Sequence, residues 1–234
     1  DPLSTFRVDN VDSTERLAEA AAQANVRRMV FLSSIKVNGE LTTGSPFTEI
    51  DSPTPLDSYA ISKHEAEVRL RQIAAETGME VVVIRPPLVY GPGVKGNFSV
   101  LMRWVKRGVP LPLGAVTYNR RSLVALDNLV DLIATCIDHP AAANQTFLVS
   151  DGEDLSTADL LRRLGLAMGR PARLLPVPPT LLMAGARMFS KAEMAQRLLG
   201  SLQVDISHTC HTLHWEPLIS VDEGLRRVIQ GMAQ

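Results

Sequence analysis

Two short unbroken apolar runs stand out along the chain, Met29-Val30-Phe31-Leu32 and Val81-Val82-Val83-Ile84. Each is too short for a buried helix and is bounded by polar or turn-forming residues, so the pattern predicts strands over Arg28–Ser33 and Glu80–Ile84. Neither run alternates apolar with polar positions, which marks strands covered on both faces, as in a parallel sheet. Helical spacing fills the stretches around them. Leu17, Ala20, Ala21 and Ala24 share one face of a helix predicted over Thr14–Ala24, with Ser13 or Thr14 as its cap. A second helix is predicted over Ser58–Ala75. Beyond Gly93 the pattern turns mixed: helix over Phe98–Lys106, strand over Ser122–Val124, helix over Asp127–Ile137 and strand over Gln145–Val149. A proline-punctuated link, Arg173–Pro179, then leads into a helix over Leu181–Phe189 whose Met183 and Met188 read as core filler. Strands alternating with helices predict an α/β fold.

Candidate chemistry lies where these elements meet. The second helix begins Ser58-Tyr59-Ala60-Ile61-Ser62-Lys63, and residues four apart share a helix face, so the Tyr59 phenol and the Lys63 ammonium can address one bound molecule. A phenol with a pKa of about 10 is a poor base at neutral pH, and a nearby cation favours its ionised form. Taken alone, such a spacing is better explained by an ordinary surface helix. Its context reverses that judgement. The first strand ends in Ser33-Ser34 and the second in Arg85-Pro86-Pro87, and ligands of parallel sheets sit beyond the strand C-termini.

Four segments carry a resemblance. Asn10-Val11-Asp12-Ser13-Thr14 is similar to Asn-Val-x-Gly-Thr at the opening of a helix. Phe31-Leu32-Ser33-Ser34-Ile35-Lys36-Val37-Asn38-Gly39 is similar to a serine-rich strand end followed by Val-Tyr-Gly, and Arg85 to Gly93 to Arg-x-x-x-Val-Tyr-Gly-Pro. Arg121-Ser122-Leu123-Val124-Ala125-Leu126-Asp127-Asn128-Leu129 is similar to Arg-Asp-Tyr-Ile-His-Val-Asp-Asp-Leu. In this order they resemble the extended short-chain dehydrogenase/reductase family, specifically its nucleotide-sugar epimerases, dehydratases and reductases. The resemblance implies a Rossmann-like doubly wound parallel sheet, N-terminally incomplete, with residues 1–93 in the dinucleotide domain. Residues 94–234 would form mainly a smaller mixed α/β substrate lobe, with some segments returning to the sheet.

It also implies roles. Tyr59 is the expected acid/base at a sugar hydroxyl, Lys63 the group that binds the nicotinamide ribose and helps ionise Tyr59, and Ser34 the hydrogen-bonding partner of the reacting oxygen. The cofactor is expected to be NAD or NADP, NAD favoured, near Asn10 and Ser33 and walled by Pro86 and Leu88. Asn97 and Arg121 fit positions that meet the diphosphate of a UDP-sugar, for which a planar guanidinium is suited; the alternative for Arg121 is a solvated surface charge. Dehydratases of the family follow the catalytic hydroxyl with Asp-Glu, whereas this chain has Ile35-Lys36, so 4-epimerisation or reduction of a 4-keto sugar is expected instead of elimination. Similarity to members that act on UDP-N-acetylhexosamines narrows the substrate further. Other readings are a reductase of a non-nucleotide alcohol on the same fold, or a scaffold without activity.

A glycine-rich phosphate turn is missing, since only Gly39, Gly44 and Gly78 precede Gly91. The chain is therefore expected to correspond to the family without its first βα units, and by itself to bind dinucleotide poorly and be inactive. The family's pairing of the two helices across a dimer axis implies a homodimer, the alternative being that their outer faces meet solvent.

Composition narrows the partners. Among 234 residues, 24 basic side chains balance 25 acidic ones, which gives no electrostatic case for nucleic acid. The longest apolar stretch, Leu181 to Ala186, is interrupted by Arg187 well short of the roughly 20 residues a membrane span needs. Two cysteines, Cys136 and Cys210, make no disulfide framework and fit a reducing, cytoplasmic compartment. His208, Cys210, His211 and His214 have a spacing that suits zinc, but the segment reads better as the surface helix before Leu213-His214-Trp215-Glu216-Pro217, which resembles Leu-Gly-Trp-x-Pro; no metal is expected.

Overall fold

The computed structural model describes residues 1–94 and 96–231, with the side chains of Asn97 and Glu193 outside the description. Strands β1 (Arg28–Leu32), β2 (Glu80–Arg85) and β5 (Thr146–Leu148) form a parallel sheet in the order β1-β2-β5, with Val30 beside Val82 and Ile84 beside Phe147. Side chains of a strand alternate between faces. Val81 and Val83 meet Ala18 of α2 (Ser13–Gln23) and Ala66, Leu70 and Ile73 of α3 (Ser58–Thr77). Val82 and Ile84 meet Leu129, Leu132 and Cys136 of α5 (Leu126–Asp138), together with Leu213 of α9 (Ser207–Leu213) and Trp215. Helices thus cover both faces, which explains why both apolar runs lack alternation.

A second sheet pairs β3 (Leu88–Tyr90) parallel to β4 (Arg121–Ala125), and β4 antiparallel to β6 (Asp154–Leu155). Its core is closed by α4 (Gly96–Arg107), α6 (Thr157–Ala167) and α10 (Val221–Gly231), which bury Phe98, Met102, Leu161, Leu164 and Leu225. At the margin lie α7 (Pro179–Met188) and α8 (Ala192–Leu199). Met183 packs against this core, but Met188 is 83% exposed and is not core filler.

The N-terminal helix begins earlier than its apolar spacing suggests. Asp1 caps α1 (Pro2–Arg7) by accepting from the Leu3 amide at 3.1 Å, with Pro2 at the first helical turn. A π turn, Val8–Asp12, carries the chain straight into α2. Asn10 therefore sits inside a continuous helical run and not at the opening of one. Strand β1 ends at Leu32, one residue short of the expectation, because Ser33 and Ser34 turn away toward the 3-10 turn Ile35–Val37.

Helix α3 has clear boundaries. Asp57 accepts from the Ala60 amide at 2.7 Å at its start, and Gly78 takes φ +77° at its end, a conformation open to glycine at little cost. These caps fix Tyr59 in the first turn of α3, over the C-terminal end of the sheet.

Candidate active site

Three residues of α3, one turn apart, define the face that meets the sheet: Tyr59, Lys63 and Glu67. Lys63 donates to the carbonyl of Leu32, the last residue of β1, at 3.1 Å, and its ammonium lies 4.6 Å from the centre of the Phe31 ring. Glu67 is fully buried. Arg85, at the end of β2, grips it with Nε at 2.9 Å and Nη2 at 2.6 Å, Ser33 donates its hydroxyl at 2.6 Å, and Arg71 reaches it at 3.1 Å. Arg85 also donates to the Asn38 side chain at 2.9 Å. Burial pushes the Glu67 carboxyl up, but Arg85 together with Ser33 and Arg71 outweighs it and holds the pKa below the ordinary carboxylate range. The network locks the ends of both strands to α3 directly beneath Tyr59 and Lys63.

Ser34 caps the 3-10 turn, its Oγ accepting from the Lys36 amide at 3.3 Å. The Lys36 ammonium bonds to Asp57 and, at 3.1 Å, to Glu40. Since Asp57 caps α3 two residues before Tyr59, this ion pair ties the Ser34 turn to the head of the helix. The half-buried Tyr59 ring packs edge-on against Phe6 at 5.8 Å, and its hydroxyl has no hydrogen-bond partner among the described residues. Burial raises the phenol above its ordinary pKa; Lys36 opposes the shift and Asp57 adds to it. Lys36 is thus a cation that acts on the phenol, in a role for which the sequence pointed to Lys63. Lys63 has its own pKa lowered by burial, against the pull of Glu67.

The other expected residues divide. Pro86 is buried, its carbonyl accepting from the Ile35 amide at 3.0 Å, while Leu88 is 44% exposed and offers an apolar wall. Two side chains expected at a cofactor are engaged elsewhere. The Ser33 hydroxyl is spent on Glu67, and the Asn10 amide donates to Ser62 of α3 at 3.1 Å. Arg121 stands at the start of β4, and its Nη1 donates to the carbonyls of Arg197 at 2.7 Å and Gly200 at 3.2 Å, at the end of α8. Burial, with Arg197 nearby, lowers its pKa. Asn97 lies in α4 and its side chain is outside those described. The histidine segment serves packing: His208 stacks on Phe147 at 5.6 Å and Thr209 donates to the Leu148 carbonyl at 2.6 Å. His214 adopts φ +48° where the resembled motif has glycine.

Two residues central to this arrangement, Glu67 and Lys36, were not singled out from the sequence as site residues. Glu67 had a signal, since it continues the four-residue spacing of Tyr59 and Lys63. Lys36 stood out only as a departure from the dehydratases' acid at that position, because its partners lie 4 and 21 positions away.

The description "NAD dependent epimerase/dehydratase family" matches residues 1–150. UDP-glucose 4-epimerase of Vibrio cholerae is 51% identical over 235 residues, an alignment that covers 100% of this chain and 72% of that protein. In the crystal structure of UDP-glucose 4-epimerase with UDP-glucose from Thermotoga maritima, the match has a TM-score of 0.77 at 21% identity and covers 100% of this chain and 72% of that one. UDP-glucuronic acid 4-epimerase from Bacillus cereus in complex with NAD gives 0.76 at 18% identity, over 96% of this chain and 66% of that one. The chain belongs to the NAD-dependent epimerase/dehydratase family, and its Rossmann-like α/β fold is that of the family's epimerases.

The donors at the head of α3 suit the ribose and nicotinamide end of a dinucleotide. Lys63 retains ammonium protons beyond the one given to Leu32, the Tyr59 hydroxyl is uncommitted, and Leu88 is exposed. No described helix is long and apolar enough to cross a membrane.

Proposed function

We propose that this chain carries the proton-transfer and substrate side of a UDP-hexose 4-epimerase. Tyr59 acts as acid/base, Lys63 binds the nicotinamide ribose, and Ser34 hydrogen-bonds to the reacting oxygen. The observation that supports this most is the Tyr59 phenol, half-buried, without a hydrogen-bond partner among the described residues, at the C-terminal end of a parallel sheet and one helical turn from Lys63. When bound, NAD supplies the acceptor and later the donor of the C4 hydride. The chain's residues do the rest. Tyr59 takes the C4 hydroxyl proton as that carbon is oxidised to the ketone, and returns it to the oxygen once the opposite face has been reduced. Electrons and protons balance within the cycle, so cofactor is not consumed. Lys63 and Lys36 favour the phenolate that the first step needs.

Arg121 offers its remaining guanidinium donors to the substrate diphosphate, with Asn97 of α4 as its expected companion. A homodimer is supported by the exposed apolar positions Val8, Leu17 and Val68 on the outer side of the first helices and α3. The unpaired thiols of Cys136 and Cys210 fit a cytoplasmic enzyme.

The test is Tyr59→Phe in the full-length enzyme, assayed for interconversion of UDP-glucose and UDP-galactose and of the corresponding N-acetylated pair. Turnover should fall by roughly 10²- to 10⁴-fold with NAD affinity retained. Undiminished turnover would remove Tyr59 from the mechanism, and stoichiometric consumption of reduced cofactor would make the enzyme a 4-ketoreductase.

A further inference from the structure

Lys36 occupies a junction. Ser34 lies two residues before it and Tyr59 two residues after its partner Asp57, so a single ion pair joins the two candidate catalytic side chains. Its second partner, Glu40, also meets Arg197 of α8 at 3.6 Å. Arg197 in turn gives its carbonyl to Arg121 at 2.7 Å, so the same cluster reaches the proposed diphosphate arginine.

We propose that Lys36 is a positioning residue of the epimerase site: its ion pairs to Asp57 and Glu40 hold the Ser34 turn against the head of α3 and keep a cation beside Tyr59. The inference rests on the reading of Tyr59 given above. Stability is a poor explanation for the pair, because Lys36 and Asp57 keep 28% and 35% of their side-chain surface, and ion pairs this exposed add little to folding. Placement is a better one. The charges around the phenol are Lys36 from the 3-10 turn, with Glu40 behind it, and Asp57 and Lys63 from α3; the Arg7 and Glu65 pair joins α1 to the same helix at 2.6 Å. Of these, Lys36 favours the phenolate and Asp57 disfavours it. The pair also holds Asp57 itself ionised: burial pushes that carboxyl up, and Lys36 with the Ala60 amide brings it below its ordinary pKa. A cation at this position therefore matters to proton transfer, in a place where the family's dehydratases carry an acid.

Phenolate absorbance, titrated in the intact protein and taken as the difference from Tyr59→Phe, isolates this one tyrosine without substrate or turnover. Lys36→Met should move its midpoint upward, and Lys36→Arg should restore it. In turnover, Lys36→Met should shift the acid limb of the kcat profile to higher pH and lower kcat at neutral pH by roughly threefold to tenfold, with KM little changed. Lys36→Gln provides a second neutral variant should Lys36→Met fold poorly. A midpoint that stays put in both neutral variants would overturn the proposal, whatever happens to their melting temperature. Active Tyr59→Phe enzyme would instead overturn the reading of the site, leaving the titration to decide separately whether Lys36 acts on the phenol.

Discussion

Two buried carboxylates, one packed beside each sheet, show how differently the same fold can solve one electrostatic problem. Glu67, under the candidate active site, is enclosed by two arginines and the Ser33 hydroxyl. Asp151, where the second sheet meets the C-terminal segment, receives only neutral donors: the Tyr90 hydroxyl at 2.6 Å, the Ala125 amide at 2.8 Å and the Asn128 side chain at 2.7 Å. Burial raises both carboxyls. At Glu67 the Arg85 guanidinium reverses the shift, while at Asp151 the three neutral donors only reduce it and the pKa stays raised. The charge beneath the candidate active site is neutralised by a cation; the junction between segments is built from polar groups that share one acceptor. Asn128 extends that junction by exchanging two bonds with Ile219, at 2.9 and 3.0 Å.

The largest effect should come from Glu67→Gln, which leaves Arg85 buried with its charge uncompensated. A cost of about 3–5 kcal/mol is expected from breaking one side of a buried pair, read as a fall in the denaturant midpoint. Glu67→Gln with Arg85→Met should recover much of it, since removing both charges removes the desolvation penalty along with the attraction. The pH dependence has a fixed sign. Because its folded pKa is depressed, Glu67 adds stability that is full above the unfolded carboxylate pKa and is lost as pH falls through the lower folded value. A single variant that loses under about 1 kcal/mol would mean that water reaches the site and would dissolve the contrast with Asp151.

Much of the Glu67 region is visible in the linear pattern, and the reason is proximity. Tyr59, Lys63 and Glu67 share one helix with a four-residue rhythm, and Ser33, Ser34 and Arg85 end two apolar runs that announce themselves as strands. The Asp151 node is opaque by comparison. Its donors, Tyr90, Ala125 and Asn128, come from three elements 23 to 61 positions away, and the two-residue strand β6 beside it is too short to carry a periodicity. Helix α1 was legible through Asp1-Pro2, a cap and first-turn pair, but its apolar spacing hid it because the π turn at Val8–Asp12 shifts the helical phase. Ser33 and Asn10 carry side-chain bonds, to Glu67 and to Ser62, that no spacing in the sequence announces. Sequence motifs locate a residue along the chain, whereas the pleat of a strand and the phase of a helix decide which way its side chain faces.

Tyr90→Phe probes the other carboxylate. It removes the neutral donor closest to Asp151 without opening a cavity, and a hydrogen bond to a charged group contributes about 1.5–3 kcal/mol, so a loss near 2 is expected. The pH behaviour should run opposite to that of Glu67. A raised folded pKa means that the native state holds the proton more tightly than the unfolded chain, so stability rises as pH falls from the raised value toward the ordinary carboxylate range. Without the Tyr90 donor the Asp151 pKa climbs further, and the deficit of the variant should shrink on mild acidification, measured as converging unfolding midpoints. A deficit constant with pH would show that Asp151 is already protonated in the native protein.

Ser33→Ala makes the corresponding deletion, one hydroxyl from one buried carboxylate, in the region where a cation is present. Glu67 Oε1 loses a donor at 2.6 Å but keeps Arg85 Nε at 2.9 Å, and Oε2 keeps both arginines. The carboxylate remains compensated, so the cost should be about 1 kcal/mol, the size of an ordinary hydrogen bond. The pKa of Glu67 should rise while staying below its unfolded value, leaving the direction of the pH dependence unchanged. The two hydroxyl deletions together isolate the cation as the variable. Should Ser33→Ala cost as much as Tyr90→Phe, the arginines do not shield Glu67 from the loss of a donor, and the difference between the two carboxylates must lie in packing around them instead of in charge.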